Sequence, residues 1–124
     1  MDAPSAADFA AIVAEALEAL PDWVRDRLDN VAVLTADWPT PEQRRKAQLP
    51  ADQLLLGLYE GIPTIHRGRG YNMALPDRVT LFRGPMLQIT KSRAELIAQA
   101  QRTLLHELGH HLGLSEQDLQ QLGH

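Results

Sequence analysis

The sequence contains no cysteine. That excludes disulfides, zinc–thiolate sites and a cysteine nucleophile. No apolar run approaches the length of a membrane span. There is no long basic tract, and the formal net charge is -4, which argues against nucleic acid as a main partner. The first residues carry Asp2 and Asp8 where a secretory leader has a basic segment followed by an apolar run, so no signal peptide and a cytoplasmic location are expected. Internal repeats and low-complexity segments are also lacking. What remains is 124 residues, 44% hydrophobic and 23% charged. That suits one globular domain, residues 1–124, with a modest core.

The chain reads as helices interleaved with a few short strands. Ser5 caps an amphipathic helix to Leu20, with Phe9, Ile12, Val13, Ala16, Leu17 and Leu20 at helical spacing. Pro21 interrupts it, and Asp22 to Leu28 is a further short helix with Trp23 and Leu28 expected in the core. Val31 to Thr35 is expected to be a short, well-buried strand. Thr40 and Gln43 fit a capping box with Pro41 at the first helical position. Arg44-Arg45-Lys46 reads as a solvated helix face rather than a binding patch. Leu54 to Tyr59, apolar and bounded by turn signals, is expected to be a central strand.

Gly61 to Asp77 is rich in loop formers. Gly68-Arg69-Gly70 lacks a following helix N-terminus, so it is not a phosphate loop. Arg78 to Phe82 is the third strand, ended by Gly84-Pro85, and Met86 to Ile89 forms a helical turn or linker. Ser92 and Glu95 form a second capping box on the main helix, which runs to about Leu112. Leu96, Ile97, Ala100, Leu104, Leu108 and Leu112 make its core-facing stripe. Gly113 fits a helix stop, and Ser115 caps a short final helix in which Leu119 and Leu122 pack back.

The chemistry is concentrated in His106-Glu107-Leu108-Gly109-His110, an H-E-x-x-H sequence on that main helix. Residues four apart share a helix face, so both imidazoles can reach one metal ion. Glu107 sits beside the first histidine, toward the side where a water would lie. H-E-x-x-H on a helix is a zinc-peptidase signature, with the glutamate as general base. Zinc lowers the pKa of its water to about 7 and polarises the scissile carbonyl, while the carboxylate carries the proton to the leaving amine.

A peptidase zinc needs three protein ligands and an open position. Gly113 and Glu116 fall three and six residues after His110, where the longer pattern H-E-x-x-H-x-x-G-x-x-H has its glycine and its last ligand. Glu116 is therefore the candidate third ligand, with a carboxylate in place of histidine; Asp118 and His124 are alternatives. His111 lies about 100° around the helix from His110 and is expected to make an outer contact or face solvent. Tyr71, His66 and Arg83 are nominated for transition-state stabilisation, each with a structural role as the blander reading.

Three segments, residues 54–61, 75–85 and 106–116, together resemble the very small bacterial zincin-like metallopeptidases, or minimal zincins. The family position that Glu116 matches is usually acidic, often Asp. The resemblance implies an α+β fold: a small mixed sheet of about three to four strands, an N-terminal helix, an active-site helix against the sheet and a short C-terminal helix. It implies Zn2+ held by His106 and His110, with Glu107 as base. It implies a metalloendopeptidase acting on a peptide or protein, in which a water activated by Glu107 attacks a peptide carbonyl. It names no substrate. In larger zincins the substrate lies extended along a sheet edge, so Val79 to Phe82 or a neighbouring strand is the expected docking edge. A membrane partner is not expected, and a monomer is. The competing readings are a catalytically silent metal-binding or regulatory module on the same fold, and a helical interaction protein in which the motif is a coincidence.

Overall fold

The structure, a computed structural model, describes residues 3–61 and 76–111 together with 113, 115, 117 and 120. In chain order the elements are α1 (Ala6–Glu18), α2 (Asp22–Arg27), β1 (Val31–Ala36), α3 (Pro41–Ala47), β2 (Gly57–Glu60), β3 (Asp77–Phe82), α4 (Arg83–Ile89) and α5 (Arg93–His111). The three strands form one mixed sheet in the order β1-β3-β2. β1 runs parallel to β3, with Val33 beside Val79. β2 runs antiparallel to β3, with Tyr59 beside Val79. This is the expected α+β fold with a small mixed sheet. Among the described residues, no helix is long and apolar enough to cross a membrane.

Local sequence fixes the helix starts. Ser5 and Asp8 cap α1 reciprocally, and Thr40 and Gln43 do the same for α3, with Pro41 at its first position. At α5 the exchange is shifted. Ser92 Oγ accepts from the Glu95 N–H at 3.1 Å, but the Glu95 carboxylate accepts from the Lys91 N–H, one residue earlier than a capping box requires. Gly113 has φ +73°, the left-handed conformation expected of the residue that stops this helix.

The main core lies between one face of the sheet and the helices α1 and α5. Phe9, Ile12, Val13 and Ala16 meet Leu96, Ala100, Leu104, Leu105 and Leu108 over Tyr59, Val79 and Leu81. A smaller cluster of Leu55, Leu58 and Phe82 lies under α3, packed by Ala47 and Leu49. Successive β3 residues point to opposite faces, so β3 feeds both clusters, and Val79, Leu81 and Phe82 are fully buried. Across the core, Gln101 Nε2 donates to the Ala16 carbonyl at 3.2 Å, and Arg93 pairs with Glu15 at the surface.

Five expectations need correction. Trp23 is 39% exposed, not in the core. The turn begun at Pro21 aims Val24 and Leu28 inward instead, one helical turn apart. β1 is a half-exposed edge strand, and Leu34 is 45% exposed. Among the described residues β2 spans Gly57–Glu60 and lies at the edge of the sheet, with β3 central. Its residues are buried because α5 covers one face and α3 the other; an apolar run reports coverage of both faces, not place in the sheet order. Gly84 and Pro85 end β3 but sit within the first turn of α4, where proline's missing N–H has no helical partner to lose. Finally, the buried face of α5 is wider than the expected stripe: Thr103 and Leu105 join it, while Ile97 is only half-buried.

Candidate metal centre and its cleft

The main cleft, about 870 Å³, lies between the outer edge of β2 and α5. One wall is apolar and comes from Ala47, Leu49 and residues 54–58. The other is a face of α5 carrying Gln99, Arg102, Thr103, His106, Glu107 and His110. α5 approaches β2 closely because residue 57 is glycine. A Cβ there would stand 2.6 Å from Thr103 Cγ2 and 2.9 Å from Leu81 Cδ2, closer than real side chains pack. One helical turn farther along, the Tyr59 N–H donates to Glu107 Oε1 at 2.9 Å. Two strand residues span about 6.6 Å and four helical residues about 6 Å. Helix and strand therefore stay in step between these two contacts.

The ladder explains why Tyr59 has an N–H to spare. Phe82 N–H donates to the Leu56 carbonyl at 3.0 Å. In an antiparallel pair the bonded positions alternate. Residues 56, 58 and 60 thus turn their backbone groups to β3, and Gly57 and Tyr59 turn theirs outward along the cleft. β3 is paired on both sides and has no free edge, so Val79 to Phe82 cannot be the expected docking edge; among the described residues it is β2 whose outer edge lines the cleft.

His106 and His110 are exposed to the cleft, with ring centroids 4.8 Å apart and planes nearly perpendicular. Neither ring makes a hydrogen bond among the described residues. Two imidazoles each about 2.1 Å from one ion have centres roughly 5 Å apart. The pair therefore has the spacing and the free nitrogens that a zinc ion requires. Among the described residues no third histidine, aspartate or glutamate joins them. Glu116, Asp118 and His124 lie outside the described residues, as do Tyr71 and His66. Arg83 does not serve the cleft: it donates to Asp37 Oδ1 at 2.7 Å and to the Pro4 carbonyl at 2.8 Å, tying the start of α4 to the loop after β1 and to the N-terminal segment.

Tyr59 is a residue the sequence did not single out. Its ring stacks on His111 at 4.2 Å with planes 6° apart, so His111 makes the outer contact expected of it. The Tyr59 hydroxyl donates to Asp77 Oδ2 at 2.7 Å. Burial first, and then this bond and the negative charge of Asp77, push the phenol up to about 12. On the opposite face of β2, buried Glu60 accepts from Lys46 Nζ (2.8 Å), Gln43 Nε2 (3.2 Å) and Arg78 Nη2 (3.4 Å). Burial alone would raise this carboxyl, but the three donors outweigh it and hold it below its ordinary range. Arg44 donates to the carbonyls of Pro50, Ala51 and Gln53, fastening the segment that leads into the cleft wall. Two of the three cations in the Arg44–Lys46 cluster thus have internal partners rather than a merely solvated role. The signal for Tyr59 was available as spacing: it stands two residues after the only strand glycine in its run.

A helix bearing paired histidines and a glutamate, laid along the edge strand of a small mixed sheet, defines a zincin-type architecture. The family model for zincin-like metallopeptidases matches residues 28–124. The chain belongs to that family, whose members are metal-dependent peptidases by class, with zinc the implied ion. A solved structure, that of a conserved hypothetical protein from Thermus thermophilus, is similar with a TM-score of 0.58 and 26% identity, covering 88% of this chain and 94% of that one. No curated protein matches the chain significantly.

Proposed function

We propose that the chain is a zinc-dependent endopeptidase acting on extended peptide segments seated along β2. The observation that carries this reading is the juxtaposition at the cleft: two histidine rings with free nitrogens one turn apart, and a glutamate between them whose carboxylate is pinned by the edge strand. In this reading His106, His110 and Glu116 hold the ion, and Glu107 is the base. Zinc bound there supplies a Lewis acid for the scissile carbonyl and makes a neutral-pH nucleophile of water. Glu107 takes a proton from the attacking water and passes it to the leaving amine nitrogen as the C–N bond breaks. The Tyr59 N–H fixes one carboxylate oxygen, and Oε2 has no protein partner among the described residues, so it is free to handle that proton. With the Tyr59 N–H given to Glu107, the outward N–H and carbonyl of Gly57 and the carbonyl of Tyr59 offer pairing for an added strand.

Native mass spectrometry of zinc-loaded protein, with cleavage of a peptide library, tests the reading. One zinc per chain is expected, lost in His106→Ala and weakened in Glu116→Ala. Glu107→Gln is expected to keep zinc and lose on the order of 10²–10⁴ in turnover. A wild type that binds zinc yet cleaves nothing would favour the silent metal-binding module. A correctly folded wild type without zinc affinity would remove the peptidase reading.

A further inference from the structure

We infer that Arg102 is a specificity residue that selects peptides carrying a carboxylate close to the scissile bond. The inference rests on the peptidase reading above and adds a substrate class to it. Arg102, His106 and His110 are spaced i, i+4, i+8 on α5, so they stand in one row facing the cleft.

Charge bookkeeping in the cleft isolates Arg102. Lys46, the other cation lining it, is committed to Glu60 at 2.8 Å. Glu107 has one oxygen bound to β2. Arg102 has no carboxylate partner among the described residues. Its one bond is Nη2 to Gln99 Oε1 at 2.9 Å, and Gln99 Nε2 is in turn braced on Thr103 Oγ1 at 3.0 Å. That chain of bonds orients the guanidinium and uses one of its five donors, leaving a fork that fits a carboxylate. Holding the arginine in advance lowers the ordering cost of binding. The apolar side chains of Leu49 and Leu54 to Leu56 line the same cleft and reduce solvent screening of such a pair.

Distance sets where the carboxylate must lie. One helical turn separates Arg102 from His106, a rise of about 6 Å. An extended peptide advances about 3.3 Å per residue. The recognised group therefore belongs one or two residues from the cleaved bond. It is either an acidic side chain or the carboxylate that ends the substrate.

The test uses zinc-loaded Glu107→Gln protein, which binds without turnover and keeps an oxygen for the Tyr59 N–H. Dansyl heptapeptides on an Ala-Leu backbone, amidated at the C-terminus, carry a single Glu walked through the sequence. Their twins carry Gln. A third set without Glu compares a free C-terminus with an amide. Fluorescence anisotropy is expected to show one register where a carboxylate binds about tenfold tighter than its neutral twin. The set in which this occurs tells an internal acidic side chain from a chain end. Adding Arg102→Gln is expected to abolish the advantage, and adding Arg102→Glu to transfer it to Lys peptides. Equal affinities for charged and neutral twins, a preference that survives Arg102→Gln, or no binding of any peptide would each overturn the inference. Failure of the peptidase reading is separate: the carboxylate preference would stand while the wild type left every peptide intact.

Discussion

Among the described residues β1 and β2 are the two edge strands of a three-stranded sheet, yet they have opposite surroundings. β1 is Val-Ala-Val-Leu-Thr-Ala, apolar almost throughout, and every residue is half-buried or exposed. β2 is Gly-Leu-Tyr-Glu, half of it polar or small, and every residue is buried. Hydrophobicity does not explain the contrast; the neighbours do. β1 has α1 on one side; on its back Ala36 touches the Phe82 cluster but Leu34 is 45% exposed, and its outer edge is unpaired among the described residues. β2 is enclosed by α5, which needs Gly57 to come close, and by the Glu60 ion cluster that joins β2 to α3. The edge strand that holds the histidine-bearing helix in register is fastened on both faces, and the one that only closes the sheet is not.

A large effect should come from loosening the fastened edge. Gly57→Ala puts a methyl group 2.6 Å from Thr103 Cγ2 and 3.2 Å from the Thr80 carbonyl. The expected cost is about 2–3 kcal/mol, read from the urea midpoint. Thr103→Ala in the same chain removes the nearest clash and should recover part of the loss, a coupling that a double-mutant cycle measures. Additive effects of the two changes would mean that α5 is not held at this distance by Gly57.

The same contrast shows what was legible in the sequence. Features set within a few residues were readable: the caps at Ser5 and Thr40, the Gly113 stop, the amphipathic stripe of α1 and the H-E-x-x-H face of α5. Features set by partners far along the chain were not. The apolar run Leu54 to Tyr59 points to a central strand, yet Leu54 is 37% exposed and the buried strand Gly57–Glu60 owes its burial to the helices on its two faces. The Tyr59–Glu107 contact joins residues 48 apart, and no local pattern encodes it. Arg102 and Gln99 were within reach of the helical spacing that picked out His106 and His110. They were missed because spacing says which residues share a face, not which of them find a carboxylate.

Two smaller changes separate the faces of β2 by pH. Glu60→Gln removes the charge that Lys46 and Arg78 surround, at an expected cost of about 1–2 kcal/mol near neutral pH. The Glu60 carboxyl is depressed in the folded state, so its contribution is present above its ordinary value of 4.5 and is lost as pH falls below it. Wild type and variant should converge in acid, as measured by chemical denaturation at stepped pH. Tyr59→Phe keeps the stack on His111 and removes the bond to Asp77, for about 1 kcal/mol. Here the folded value is raised, from 10.0 to about 12, so the contribution is full below pH 10 and lost as pH rises through 12. The alkaline loss should be weaker in the phenylalanine variant. An unchanged alkaline limb would assign that loss to other groups.

The smallest effect belongs to β1, where the comparison is sharpest. Leu34 is a large apolar residue in the middle of a strand, the kind of position where a charge is usually ruinous. It is also 45% exposed, and its strand neighbour Thr80 gives it little apolar surface to cover. Leu34→Lys should therefore shift stability by no more than about 0.5 kcal/mol. The lysine would also protect an open, apolar edge from pairing with another chain, so the variant should remain monodisperse at concentrations where wild type begins to associate, as light scattering would show. The matched change on β2, Leu58→Lys, buries a charge among Leu55 and Phe82 and should cost several kcal/mol. Equal costs at the two leucines would mean that the two edges are packed alike, and that the fastening of β2 is no special provision for the helix it carries.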